Sequence, residues 1–187
     1  PHTSMSPEDP PTQPSAVNLT LIDAGLGDGS LTSCLCRHAT EAGEAAGIRL
    51  TTFTAGAHHI LPFGESGVSG DDELVQLLEE ADGVILVFPV YNFNMNATLK
   101  AVIEYGGPAM AGKVVGLMAS AGGRHGYMSF LSVIQGLMFD LRCWIVPRQV
   151  YALSEDFADG RLTDEDVLRR VAELVTTTAD TARRLRS

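Results

Sequence analysis

From residue 17 onward, short apolar runs alternate with stretches of helical periodicity. Val17, Leu19 and Leu21 alternate with Asn18 and Thr20, which predicts a first strand ending near Asp23. Residues 31–46 read as a helix and residues 48–54 as a second strand. A glycine-dotted loop carrying His58 and His59 leads to a helix over 72–80. Residues 84–88, Val-Ile-Leu-Val-Phe, form the unbroken apolar run of a strand buried on both faces. A helix over 97–105, a strand over 113–119, a helix over 128–140 and a strand within 143–146 follow. In the last helix Thr163 reads as the N-cap, and Asp164, Glu165 and Asp166 occupy the first turn. Arg183, Arg184 and Arg186 lie at its end, while Val167, Val171, Leu174 and Val175 supply its inward stripe.

Five strand–helix units in a row predict an α/β fold with a doubly wound, five-stranded parallel sheet and helices on both faces. Five strands suit the flavodoxin-like order 2-1-3-4-5 better than the longer dinucleotide-binding order. Residues 17–187 are expected to form one domain. Residues 1–16 hold five prolines and little apolar surface, so they are expected to be a disordered arm. Met5 reads as the native start, with Pro1 to Ser4 a cloning remnant.

Charge narrows the range of partners. The 187 residues carry 13 Lys+Arg against 23 Asp+Glu, a formal net charge of −10. Such a surface repels phosphate chains, so nucleic acid is not expected as a partner. No apolar run reaches the roughly 18 residues of a membrane helix. The first cation is Arg37, so no secretory or transit peptide is expected. Cys34, Cys36 and Cys143 are too few for a disulfide framework and suit a reducing cytoplasm. The Cys34-Leu35-Cys36 pair has no second cluster at zinc spacing, and no metal site is expected.

Ligands of doubly wound sheets bind beyond the carboxyl ends of the strands, where the winding reverses. Three loops lie there. The first, residues 25–33, has Gly25, Gly27 and Gly29 followed by Ser30, Thr32 and Ser33, which could curl amides and hydroxyls around an anion at a helix start. The same residues would equally make a flexible turn with Ser30 as N-cap. No Gly-Lys-Ser/Thr occurs, which disfavours ATP. The second loop runs from Pro89 through Tyr91, Asn92, Phe93 and Asn94, offering aromatics and amides to a planar ring, or simply a cover for the core edge. The third holds Gly122, Gly123 and Arg124; small residues permit close approach of a flat ligand, and Arg124 could meet a phosphate or stay solvated.

Pro89-x-Tyr91-Asn92, followed by Leu99-Lys100-x-x-Ile103-Glu104, resembles a signature stretch of the NADPH-dependent FMN reductase family. Gly122-Gly123-Arg124 with Gly126 is similar to that family's loop after strand four, and Pro147 and Val150 to the end of its fifth strand. The chain departs from the pattern at Gly25 and Gly27, where relatives carry Ser and Arg, and at Asn96-Ala97, where they carry Pro-Gly.

The resemblance implies an oxidoreductase in which NADPH or NADH gives hydride to FMN, and the flavin passes electrons to a quinone, an azo compound or free flavin. It implies Ser30, Thr32 and Ser33 at the FMN phosphate. Pro89, Tyr91, Asn92, Phe93, Asn94, Gly122 and Gly123 would frame the ring, with Arg124 beside flavin or nicotinamide. No catalytic side chain is expected, because the cofactor carries the hydride step. With no cation before Arg37, FMN is expected to be exchangeable.

The helix over 128–140 is apolar almost all round, which predicts a subunit interface; a homodimer or homotetramer is also what the resemblance implies. Cys34 and Cys36 should point to different sides of their helix, His58 and His59 should serve the surface, and His125 is the better-placed imidazole. A specialised biosynthetic flavoenzyme and a non-redox nucleotide-binding protein remain alternatives on this fold.

Overall fold

The computed structural model describes residues 16–27 and 29–186. The arm expected over residues 1–16 therefore lies outside the described residues, Ala16 excepted, and so does Asp28. In chain order the elements are β1 (Asn18–Asp23), α1 (Leu31–Ala45), β2 (Arg49–Thr54), α2 (Asp71–Glu80), β3 (Gly83–Tyr91), β4 (Asn94–Met95) and α3 (Ala97–Met110). They continue with β5 (Val114–Ala121), α4 (Phe130–Phe139), β6 (Trp144–Ile145), β7 (Val150–Leu153), β8 (Phe157–Ala158), β9 (Arg161–Leu162) and α5 (Glu165–Arg186).

The main sheet has the order β2-β1-β3-β5-β6, with all of these pairings parallel. This is the expected 2-1-3-4-5 winding. Side chains of β3 alternate between two cores, as a strand's period of two requires. Ile85 and Val87 pack with Leu35, Val171 and Leu174 from α1 and α5. Val84, Leu86 and Phe88 face the other way, onto Leu78, Val102 and Val133 from α2, α3 and α4. Each such fully buried side chain contributes about 1.5–3 kcal/mol, so the double-sided β3 anchors the fold.

The fifth strand is in two pieces. Both β6 and β7 pair with β5, with Val115 opposite Ile145 and Met118 opposite Val150. Two residues of β5 therefore span the same distance as residues 146–149. Pro147, which has no N–H for the ladder, sits inside that excess. The sequence pattern reached only the first piece.

Other differences are local. β4 folds back antiparallel on β3, and β8 and β9 form a separate hairpin. The N-cap of α5 is Asp164 rather than Thr163: the Val167 amide donates to the Asp164 carboxylate at 2.9 Å, while the Thr163 hydroxyl donates to the Asp156 carbonyl at 3.1 Å. Residues 124–129 form a tight 3₁₀ segment, and α4 begins only at Phe130. Among the described residues no helix is long and apolar enough to cross a membrane.

Candidate functional site

The carboxyl ends of β1, β3 and β5 bring the three predicted loops together. β1 ends on Asp23, whose side chain is buried and accepts the Gly25 amide at 2.8 Å. The Cys36 thiol donates to the same carboxylate; burial, and then the Asp23 charge, push that thiol well above its ordinary range. Asp23 thus pins the loop from below.

Ser30 caps α1. Its hydroxyl accepts the Ser33 amide at 3.1 Å and lies 3.0 Å from the Ser33 hydroxyl. The Cys34 amide bonds the Ser30 carbonyl at 3.0 Å. Leu31 and Thr32 then remain as first-turn amides with no intrahelical acceptor, aligned with the positive end of the helix dipole. Thr32 turns its hydroxyl inward instead, to Ser120 of β5 at 2.8 Å, and is 1% exposed. Only its amide is left for an anion. The first cation of the chain, Arg37, is engaged elsewhere: it donates to the Gly160 carbonyl at 2.7 Å and to the Cys34 sulfur at 3.2 Å.

A hollow of about 190 Å³ joins Leu26, Ser30 and Thr32 to Pro89, Tyr91 and Gly122. It shares Val90, Ala121 and Gly122 with a second hollow of about 340 Å³, bordered by Asn92, Phe93, Gly123, His125 and Tyr151. A third, of about 210 Å³, opens from Gly25 and Gly27 to Ser33 and Thr54. A larger hollow of about 680 Å³ lies between α3 and α4, around Phe63, Ile103 and Leu141. It is away from the strand ends, so topology favours the smaller connected set.

Two expected ring neighbours point elsewhere. Asn94 accepts the Met95 amide at 2.8 Å and the Ser132 hydroxyl at 2.5 Å, tying the β3–β4 turn to α4. The Arg124 guanidinium pairs with Glu155 at 2.5 Å in solvent, and that hydrogen bond, ahead of the carboxylate's charge, raises its already high pKa further. Neither residue borders the hollows. Lys100, expected to be structural, pairs with Glu104 one helical turn on, at 2.5 Å.

Three residues that build the site were not singled out from sequence. Asn96 caps α3, accepting the Leu99 amide at 3.2 Å, while its amide group donates to the Ala24 carbonyl at 2.8 Å. It bolts the first loop to α3. Ser120 anchors Thr32, and Tyr151 donates to the Gly123 carbonyl at 2.7 Å. The Asn-x-x-Leu cap was the available signal for Asn96. For Tyr151, beyond the strand break, the one pointer was the likeness of Pro147 and Val150 to the end of the family's fifth strand.

Of the remaining candidates, His58 stacks on Phe53, with ring centroids 4.7 Å apart, and approaches Glu73 at 3.7 Å. It organises its loop. Cys34 and Cys36 are both buried and face Gly160 and Asp23 respectively, so they do not form a pair.

The cleft fits a flat ligand carrying a phosphate. A Cβ at Gly122 or Gly123 would meet nothing within 4 Å, and neither residue has positive φ. Neither packing nor backbone conformation demands glycine there, so the bare wall leaves room for something the chain itself does not supply. Amides of Leu31 and Thr32 and the hydroxyls of Ser30 and Ser33 stand where an anion would sit.

Residues 17–158 match the NADPH-dependent FMN reductase family. The chain belongs to that family. A relative described as an iron-sulfur flavoprotein, from Archaeoglobus fulgidus, is 32% identical over 111 residues. That match covers 55% of this chain and 47% of the relative, so the chain spans about half the length of that protein. Among the described residues no group of three His, Cys, Asp or Glu side chains could hold a metal ion.

Solved structures share the fold. The apo form of an NADH:FMN oxidoreductase superposes with a TM-score of 0.75 at 17% identity, covering 89% of this chain and 90% of that one. An NAD(P)H:(acceptor) oxidoreductase from Paracoccus denitrificans gives 0.72 at 18% identity, covering 90% and 98%.

Proposed function

We propose that this FMN reductase passes reducing equivalents from NADPH or NADH through FMN to a small acceptor of the quinone or flavin class. The bare wall at Gly122 and Gly123, beside the N-terminus of α1, carries the reading. FMN, when bound, supplies a ring nitrogen that takes hydride and passes electrons onward. The chain's own part is to bind and orient. Amides of Leu31 and Thr32, with the hydroxyls of Ser30 and Ser33, hold the phosphate. Pro89, Tyr91, Asn92 and Phe93 border the ring, and Asn96 keeps the first loop and α3 in register. With neutral donors holding a dianion on a chain of charge −10, FMN exchanges between turnovers.

α4 contains no charged residue and exposes Leu131, Met138 and Phe139. A second copy covers that face without opposing like charges, which supports a homodimer or homotetramer. Light scattering tests this, and a monomer at micromolar concentration refutes it.

The main experiment is an absorbance titration with FMN, then anaerobic stopped-flow reduction by each nucleotide. Binding followed by bleaching of the flavin bands supports the reading. Failure to bind at high micromolar FMN overturns it, and binding without nucleotide oxidation indicates a non-redox role.

A further inference from the structure

The turn between β3 and β4 contains a conformation its sequence resists. Tyr91 pairs with Asn94, leaving Asn92 and Phe93 as the two central residues, with φ of 50° and 60°. Two-residue hairpins favour such a left-handed pair because its twist matches the strands, and Asn-Gly adopts it without strain. Asn92 suits its position. Phe93 does not: its Cβ crowds the backbone in this region, and a bulky residue there is an outlier.

Packing does not account for the phenylalanine. Its ring is 68% exposed and makes no aromatic contact with the Tyr127, Phe130 and Tyr151 cluster nearby. A strained backbone bearing a solvated aromatic ring loses on both counts, and residues of this kind concentrate at ligand sites.

Phe93 stands at a suitable place. It borders the hollow of about 340 Å³, which Gly122 and Gly123 line without side chains and which opens into the crevice assigned to FMN. The nearby cation, Arg124, is held by Glu155, and no Lys or Arg side chain lines the hollow, whose only ionisable nitrogen base is the His125 imidazole. The hollow of about 340 Å³ is large enough for a fused two-ring molecule.

We propose that Phe93 is a specificity-determining residue whose exposed ring stacks on a planar, uncharged aromatic acceptor of the naphthoquinone class. This rests on the FMN reductase reading for the acceptor's role, and on the turn geometry for the site. Face-to-edge or offset packing on the ring accounts for about a tenfold preference.

The test uses the full chain and Phe93→Gly, Phe93→Leu and Phe93→Tyr. Binding of 1,4-naphthoquinone to the FMN-free chain is followed by ligand-observed NMR, so a failure of FMN binding leaves this measurement intact. Wild type and Phe93→Tyr should bind alike, with Phe93→Gly and Phe93→Leu about tenfold weaker. In turnover with FMN, KM for naphthoquinone should rise several-fold more than KM for ferricyanide, which has no ring to stack. Thermal melting of Phe93→Gly should be no lower than wild type, because the strained turn relaxes. Equal naphthoquinone binding by all four chains overturns the proposal. So does a fall of several degrees in the melting of Phe93→Gly, which would make the ring a packing element.

Discussion

Replacing Gly122 with valine separates the two reasons a glycine can stand at the end of β5. If the fold needs it, the variant is destabilised; if a ligand needs it, the variant folds and fails to bind. The geometry favours the second. A Cβ there has no neighbour within 4 Å, and the residue lies outside the left-handed region. Removing glycine's freedom from the unfolded chain then stabilises by about 0.4–1 kcal/mol. For a domain of this size that raises Tm by roughly 1–4 °C. The branched side chain projects into the hollow shared by the first and third loops, displacing any flat ring. FMN affinity should fall at least tenfold, about 1.4 kcal/mol. Gly126→Ala serves as the contrast: its Cβ would lie 2.7 Å from the Tyr151 hydroxyl and 3.0 Å from Val90, so it should lose about 1–3 kcal/mol of stability. Melting by circular dichroism and FMN titration by fluorescence quenching read the two axes. Wild-type FMN affinity in Gly122→Val, or a lowered Tm, would refute the reasoning.

Other outcomes follow from the same geometry. Gly27→Arg has open space around it and adds a cation beside the helix start; FMN should bind about tenfold tighter at low salt, riboflavin should be unchanged, and the gain should fade as salt screens it. Ser30→Ala removes the cap on the Ser33 amide and should cost about 1 kcal/mol, seen as a Tm lower by roughly 2–4 °C, with FMN weakened more than riboflavin. Burial pushes the Cys143 thiol up from 9.0 to about 11, so the unfolded chain loses its proton first. Stability from this group is intact below pH 9 and declines as pH rises toward 11; Cys36 acts in the same direction. Urea midpoints at pH 8 and 10.5 should differ less in Cys143→Ala than in wild type.

The parts of this molecule legible in its sequence are those where one residue type has one physical solution. An unbroken apolar run at 84–88 bounded by helical patterns reads as a doubly covered strand, and the succession of five strand–helix units gives the winding order. Where two neighbours could do the same job, as Thr163 and Asp164 could at the start of α5, composition does not choose; the Asp156 carbonyl does, by engaging Thr163. Side-chain direction was likewise hidden. The Thr32 hydroxyl resembles a phosphate donor until Ser120, 88 residues away, claims it and leaves only the amide. Arg124 resembles a free cation until Glu155 pairs with it. The hardest case was Tyr151: Pro147, two residues past Ile145, ended the apolar pattern, and only the family likeness at Val150 marked the continuation beyond it.

That interrupted fifth strand has a consequence for solubility. It is one of the sheet's two edges, opposite β2, where a continuous strand would present a row of unpaired N–H and C=O groups to a neighbouring molecule. Instead the edge is cut into pieces of two and four residues, separated by Pro147 and the exposed Arg148. The same irregularity that concealed Tyr151 denies another molecule a continuous ladder to extend on this side, where Trp144 is exposed, and leaves the six-residue β2 as the one unbroken edge.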